Sequence, residues 1–316
     1  MADFALALAL GYGLDLLLGD PAWLTHPVCL IGRYIAWCEA RLRRGGGHLR
    51  RKAVWLTLST VLLSMACAFA LVSVASLWGR GARLFVMAVL DWLGLAARSL
   101  ATEAAGVEKA LGRGLSAGRT QVARIVGRDT SQLTGREIIC ATVETVAENT
   151  TDGVISPMVY GLLGGPVLLW GFKAASTLDS MVGYRDERYR DIGWSSARLD
   201  DVLNYLPARL TALLLCLGAA LCGLDGRHAL CIVRRDHANH LSPNCAWSEA
   251  AAAGALHIRL GGTHLYFGKP VEKPTIGDDD RAPESADIRR VNRMMYAASL
   301  LMLALVLGVF LWARCA

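Results

Sequence analysis

Apolar runs separated by short polar breaks cover most of the chain, and their lengths set the first expectations. Ala53 to Trp78 is the longest run, longer than the roughly 20 residues a hydrocarbon core requires. Met294 to Trp312 makes a second span, with Arg289, Arg290 and Arg293 before it as interfacial anchors. Phe4 to Leu18 is interrupted by Asp15, and Leu84 to Leu100 carries Asp91. No Lys or Arg precedes the first of these, and Gly19-Asp20-Pro21 is a poor cleavage site, so it reads as a retained membrane helix rather than a secretory signal. Ile155 to Trp170, broken by Gly164-Gly165-Pro166, and Leu210 to Leu224 lie near the lower length limit, where re-entrant or half-buried helices compete with true spans. Thr102 to Val126 reads as amphipathic helices broken at Gly112 and Gly114. Thr134 followed by Glu137 is a capping-box pattern opening a helix through Val146. The pattern predicts an all-α polytopic membrane protein with about four to six embedded helices, some re-entrant. Amphipathic and cytoplasmic helices would form the site. No long linker or fixed repeat appears, so residues 1–316 read as one integrated domain.

Composition agrees with a bilayer setting: 54% of residues are hydrophobic and 19% charged. Basic residues precede the longest run (Arg33, Arg41, Arg43, Arg44, Arg50, Arg51, Lys52) and follow the next (Arg113, Arg119, Arg124, Arg128), which predicts two cytoplasmic loops. If every short stretch crossed, loops 173–209 and 227–293 would lie on opposite sides although both carry chemistry. At least one stretch is therefore expected not to cross. The net charge of +6 sits in these flanks, which fits orientation and anionic lipid rather than nucleic acid. Nine cysteines include no C-x-x-C pair, the pattern of small core residues in a reducing compartment.

Three acidic and amide clusters lie beside apolar segments: E-N-T-T-D-G from Glu148 to Gly153, S-T-L-D-S-M-V-G-Y from Ser176 to Tyr184, and A-R-L-D-D-V-L-N-Y-L-P-A-R from Ala197 to Arg209. Carboxylates near a bilayer are costly unless they bind cations or do chemistry. Glu148, Asp152, Asp179, Asp200 and Asp201 offer the hard oxygen ligands that Mg2+ takes. Glu137, Glu144 and Glu148 share one helical face, although a solvated face explains Glu137 and Glu144 equally well. Lys173, Arg185, Arg198, Asn204 and Arg209 are groups that hold phosphoryl or carboxylate oxygens. This set suits phosphoryl transfer, but no Walker loop or kinase glycine loop is present. Gly164-Gly165 and Gly261-Gly262 read as turns rather than phosphate loops.

The ordered motifs resemble the CobD/CbiB family, the adenosylcobinamide-phosphate synthases of cobalamin biosynthesis. The likeness covers nearly the whole chain: G-D-P-A-W-L-T-H-P-V from Gly19, I-G-R-Y-I-A-W-C-E from Ile31, the three clusters above, R-D-H-A-N-H-L-S-P-N-C-A-W-S-E-A from Arg235, and R-L-G-G-T-H-L-Y-F-G-K-P-V-E-K-P-T-I-G from Arg259. The resemblance implies a multi-pass enzyme of the bacterial inner membrane with its active site facing the cytoplasm. It implies ATP-dependent joining of the free propionate of adenosylcobyric acid to 1-aminopropan-2-ol or its O-phosphate, with the corrinoid as substrate and ATP and Mg2+ as cofactors. Its partners would be these small molecules, the lipid bilayer and other cobalamin-assembly enzymes. Glu148, Asp152, Asp179 and Asp201 are then the metal ligands, joined in catalysis by Asp200, His26 and His240. Asn149, Thr150, Ser180, Tyr184, Glu249, Asn244 and Lys273 join Lys173, Arg198, Asn204 and Arg209 in holding substrate. Asn244 is expected to cap the helix that carries Glu249. Ser176 stands where family members commonly carry Asn, which removes an amide from that position. Trp23, Tyr184, Trp194, Tyr205, Trp247 and Tyr266 could serve the corrin as aromatic platforms or simply pack. The alternatives are a regulatory AmpE-like membrane protein, for which T-L-D-S-M or A-R-L-D-D should be lost, and a transporter using Asp15 and Asp91. Another amino alcohol is a further substrate option.

Overall fold

The computed structural model describes every residue except Ala22, 45–47, Arg185, Phe267, Gly268 and Ala316; the side chains of residues 264–271, 273 and 314 are also outside the description. In chain order the elements are α1 (Ala2–Leu18), α2 (Pro27–Arg44), α3 (Leu49–Ser76), α4 (Arg80–Gly94), α5 (Ala97–Leu111), α6 (Leu115–Val122), α7 (Gly135–Thr150), a π-helical turn (Thr151–Ile155), α8 (Ser156–Val182), α9 (Trp194–Leu203), α10 (Tyr205–Leu221), α11 (Gly226–Asp236), α12 (Cys245–Leu256), β1 (Leu260–Tyr266), β2 (Lys269–Ile276) and α13 (Ala286–Cys315). They form two compact units. The first comprises Met1–Ala96, Ser156–Asn204 and Leu303–Ala316, and the second Ala97–Ile155 and Tyr205–Met302.

Among the described residues, four helical stretches are long and apolar enough to cross a membrane: Leu49–Ser76, Arg80–Leu111, Gly135–Val182 and Ala286–Ala313. The pair α9 and α10, bent by 48°, raises the number to five if it acts as one broken span. The protein is thus a polytopic helical membrane protein, as the pattern of apolar runs predicts. On α3, Trp55, Leu58, Leu62, Phe69 and Leu71 are all exposed. That is more outward apolar surface than water tolerates on one helix, and lipid is its natural solvent.

In the first unit α1 and α4 approach closely at Gly11, where a Cβ would fall 2.8 Å from both the Ala88 carbonyl oxygen and the Asp91 Cβ. Asp15 and Asp91, which interrupt the apolar runs Phe4–Leu18 and Leu84–Leu100, are 0% exposed, so both turn into packing rather than toward lipid. Trp92 Nε1 donates to the Gly19 carbonyl at 3.0 Å and Trp170 Nε1 to the Leu90 carbonyl at 3.1 Å, fastening α4 at both faces. Ile35, Leu56, Leu178, Val182 and Ile192 form a core cluster that seats the end of α8. The break expected at Gly164-Gly165-Pro166 is present inside α8: Gly165 has φ 62, which glycine adopts without penalty, and Pro166 restarts the helix.

In the second unit Thr134 and Glu137 form the capping box at the start of α7. Half of the 12 residues of α12 are alanine and most of the helix is buried, and a Cβ at Gly254 would lie 2.7 Å from the Ala229 Cα of α11. Small residues let these two backbones touch. Asp236 closes the far end of α11, accepting from both Arg235 Nε (2.7 Å) and Nη2 (2.8 Å) and from the Gly277 N–H (2.8 Å). The guanidinium holds the Asp236 carboxyl below its ordinary range, against the opposing effect of burial.

One expectation needs correction. The segment after α12 is an antiparallel hairpin, with Thr263 paired to Glu272. Gly261 and Gly262 are therefore not a turn: they form an irregularity in β1 with φ 78 and 99, angles that admit glycine and strain other residues. The hairpin was hidden because Pro270 and Pro274 read as breakers, although an edge strand tolerates them.

Candidate functional site

The residues expected to act together fall into two groups, one in each unit. In the first unit the end of α8 carries Lys173, Ser176, Asp179 and Ser180. Thr177 and Ser180 return their hydroxyls to the Lys173 and Ser176 carbonyls at 2.6 and 2.9 Å, leaving Asp179 as the half-buried acid of this turn. A Cβ on Gly183 would collide with the Asp179 carboxylate, and one on Gly193 with the Val182 carbonyl. The sequence reading missed both glycines. Gly183 stands one helical turn beyond Asp179, and that i to i+4 spacing was the available signal.

Helix α9 brings Asp200, Asp201 and Asn204 to its last turn. Asn204 is 2% exposed: its amide donates to Asp200 Oδ2 at 3.1 Å and its oxygen accepts from Ser156 Oγ at 2.7 Å. Within this unit it orients Asp200 and ties α9 to the start of α8. Arg198 and Tyr184 are exposed, Tyr184 tilted against Tyr189 at 6.0 Å. His26 Nδ1 accepts the Val28 N–H at 3.2 Å and its Nε2 lies 3.7 Å from Asp20 Oδ1. Burial pushes the imidazole pKa below its ordinary value and the charge of Lys173 adds to this, while Asp20 opposes. Lys173 and His26 are thus electrostatic neighbours, although 147 positions separate them (173 − 26).

The sign of that shift makes a pH prediction. A folded-state pKa below the unfolded value of about 6.5 means the unfolded chain binds the extra proton. The contribution of His26 is complete above that value and is lost as pH falls below it. Between pH 7 and pH 5 the melting temperature of the detergent-solubilised protein should therefore fall more steeply than that of His26→Gln, measured by thermal scans at each pH.

In the second unit Glu148 closes α7 and Asp152 lies on the π-helical turn that follows, a distortion frequent at functional sites. Cys245, at the first position of α12, donates its thiol to Glu148 Oε1 at 3.1 Å. Burial raises the Cys245 thiol well above its ordinary value, and Glu148, Glu249 and Asp152 each push it further up. Three carboxylates therefore gather about one protonated thiol. Glu249, 5% exposed, and Asn244, 6% exposed, come from the same end of α12. The expected cap hydrogen bond from Asn244 does not form. Its backbone is already helical, and its Oδ1 faces Arg209 Nη1 at 3.5 Å instead.

Arg209 is held between two rings, its guanidinium carbon 3.5 Å from the Tyr205 centroid and 4.6 Å from that of Trp247. His240 Nδ1 accepts the Ser242 N–H at 3.0 Å, which orients its ring. The other polar members of the motif turn back on α7: Asn149 donates to the Thr145 carbonyl at 2.9 Å and Thr150 to that of Val146 at 2.7 Å. Glu137 is spent on the capping box. Glu144 accepts from Arg128 at 2.6 Å and from the Gly261 N–H at 2.9 Å. Of the acidic face of α7, Glu148 alone reaches the cluster around Cys245. Lys273 pairs with Gly262 across the hairpin. Its side chain, that of Tyr266 and the whole of Arg185 lie outside the described residues.

These features define a polytopic membrane protein in which carboxylates, amides and an aromatic-clamped guanidinium are held at helix ends. A family model described as CobD/Cbib protein matches residues 8–295. The chain belongs to that family. It is 50% identical over 293 residues to cobalamin biosynthesis protein CobD of Geobacter metallireducens, covering 92% of each chain. It is 47% identical over 317 residues to cobalamin biosynthesis protein CbiB of Salmonella typhimurium, covering 98% of this chain and 97% of the relative. No solved structure matches.

Proposed function

We propose that this protein serves cobalamin biosynthesis as an ATP-dependent amide ligase, joining the free propionate of adenosylcobyric acid to 1-aminopropan-2-ol or its O-phosphate. The observation that carries the reading is the gathering of Glu148, Asp152 and Glu249 around Cys245 in the second unit. Family membership supports it. A protonated thiol is a poor metal ligand and three carboxylates are hard ones, so this donor set fits Mg2+ better than a soft ion. Glu148 and Asp152 would hold that ion in the second unit, and Asp179 and Asp201 are the acids that would serve in the first.

A carboxylate is a poor electrophile, and magnesium-bound ATP supplies the activation that lets its oxygen leave. The protein's own groups do the remaining work. Arg209, fixed by Tyr205 and Trp247, presents a guanidinium for phosphate or propionate oxygens. Lys173 and Arg198 add positive charge in the first unit. The amine enters as an ammonium and must lose a proton before its nitrogen attacks. His26, kept neutral by burial and by Lys173, is the base we assign to that step, with His240 as a hydrogen-bonding partner for substrate. On this reading the enzyme works in the bacterial inner membrane with its site toward the cytoplasm, supported by the basic loops, which favour that side.

The test is direct. The purified protein is incubated with adenosylcobyric acid, ATP, magnesium and either amine, and corrinoid products are followed by mass. Amide product coupled to ATP hydrolysis is expected and identifies the amine. No product with either, from folded protein that binds corrinoid, would sink the assignment. In the same assay Arg209→Lys should raise KM for the phosphorylated or carboxylate substrate about tenfold with a smaller change in kcat. A point charge keeps the sign but loses the planar stacking and the fork.

A further inference from the structure

We propose that His228, His257 and Asp280 form a binding site for a zinc-type divalent transition metal at the end of α12 remote from Glu249. His228 lies in the first turn of α11, His257 directly follows α12, and Asp280 lies in the loop after β2; all three belong to the second unit. One ligand atom from each lies within 4.8 Å of the others. The two imidazoles stack 4.4 Å apart at an interplanar angle of 6°, and His257 Nδ1 is 2.9 Å from Asp280 Oδ2. Ligands about 2.0–2.2 Å from a tetrahedral zinc stand roughly 3.4 Å apart. Closure therefore takes turning of the two stacked rings, so that their in-plane lone pairs converge, together with shifts on the order of 1 Å in the ligand atoms.

The surroundings favour a cation. Asp225 Oδ2 is 3.4 Å from His257 Nε2 and Asp278 Oδ2 is 3.5 Å from His228 Nε2. Asp225 also accepts the His228 N–H at 2.8 Å, and Asp278 is fixed by Arg235 Nη1 at 2.8 Å. When His257 ligates through Nδ1, Asp225 sits on its second nitrogen, where a carboxylate orients the ring. His228 Nε2 is buried and makes no hydrogen bond among the described residues, which leaves a polar atom that a metal would satisfy.

The backbone gives an independent sign. His257 has φ 54 and ψ 42 and is the one described residue other than glycine with positive φ. This is the position after a helix where glycine is the usual occupant. A histidine there is a local cost, and such outliers concentrate at functional positions. Two imidazoles with a carboxylate suit zinc, nickel or copper rather than magnesium. The 12 residues of α12 put this cluster about 18 Å along the helix from its Asn244 end. An ion here would clip the start of α11, the end of α12 and the loop after β2 together.

The test uses the full chain in detergent, without a histidine tag, stripped of metal and titrated with zinc. One saturable equivalent with a rise in melting temperature is expected. His257→Gly suits the left-handed backbone, so it keeps the fold and all nine cysteines. It should weaken zinc binding by at least about tenfold to a hundredfold, the loss that even outer partners of a metal site cause. His228→Ala should do the same. Absence of a saturable equivalent in the natural chain, or equal affinity in His257→Gly, would overturn the site.

Discussion

Asp179→Asn is expected to lower kcat for amide formation by about 10²- to 10³-fold, the size of effect that follows removal of one group stabilising developing charge. The variant should still insert and melt normally. Asp179 is half-buried at the end of a long helix whose seat is the cluster of Ile35, Leu56, Leu178, Val182 and Ile192, and none of that packing depends on its charge. Gly183→Ala should reproduce part of the loss without touching a carboxylate, because its Cβ would occupy the space of the Asp179 side chain. Steady-state kinetics beside a detergent melt separates the two causes. Normal turnover in Asp179→Asn would remove that residue from the chemistry.

Glu148→Gln is expected to cost a similar 10²- to 10³-fold in kcat and to raise the magnesium concentration needed for half-maximal rate. The glutamine still accepts from the Cys245 thiol but removes one of the three charges gathered there. Cys245→Ser, which keeps a donor at the same place, should stay within about threefold of the natural chain. An unchanged magnesium requirement in Glu148→Gln would show that the carboxylate only anchors α12 to α7. The thiol itself should resist alkylation at pH 8 in the folded protein, since burial and its acidic neighbours hold it protonated.

Much of the architecture was legible in linear patterns because local physics is enough to write them. The apolar run that became Leu49–Ser76 needs only its length, and Ala286–Ala313 only its length and the arginines in its opening turns. The Thr134–Glu137 box and the break at Gly164-Gly165-Pro166 are decided within a few residues. The hairpin from Leu260 to Ile276 was not legible. Its strands contain prolines, and its pairing is a contact between segments rather than a property of either one.

Candidate chemistry divides along the same line. The sequence by itself determined the residue types, the family, and the three clusters rich in hard oxygen ligands, because motifs survive as strings. Only the tertiary structure separated acids committed to the fold from acids held in the candidate site. Glu137, Glu144 and Glu148 share one helical face, yet the first caps its own helix and the second pairs with Arg128 and the Gly261 backbone. Glu148 alone meets Cys245, from a segment 97 residues away in sequence. Asn204 proved to be a buried brace between Ser156 and Asp200, and His26 acquired Lys173 as a neighbour. Burial and long-range pairing set what a titratable group does, and neither is encoded in the spacing of one segment.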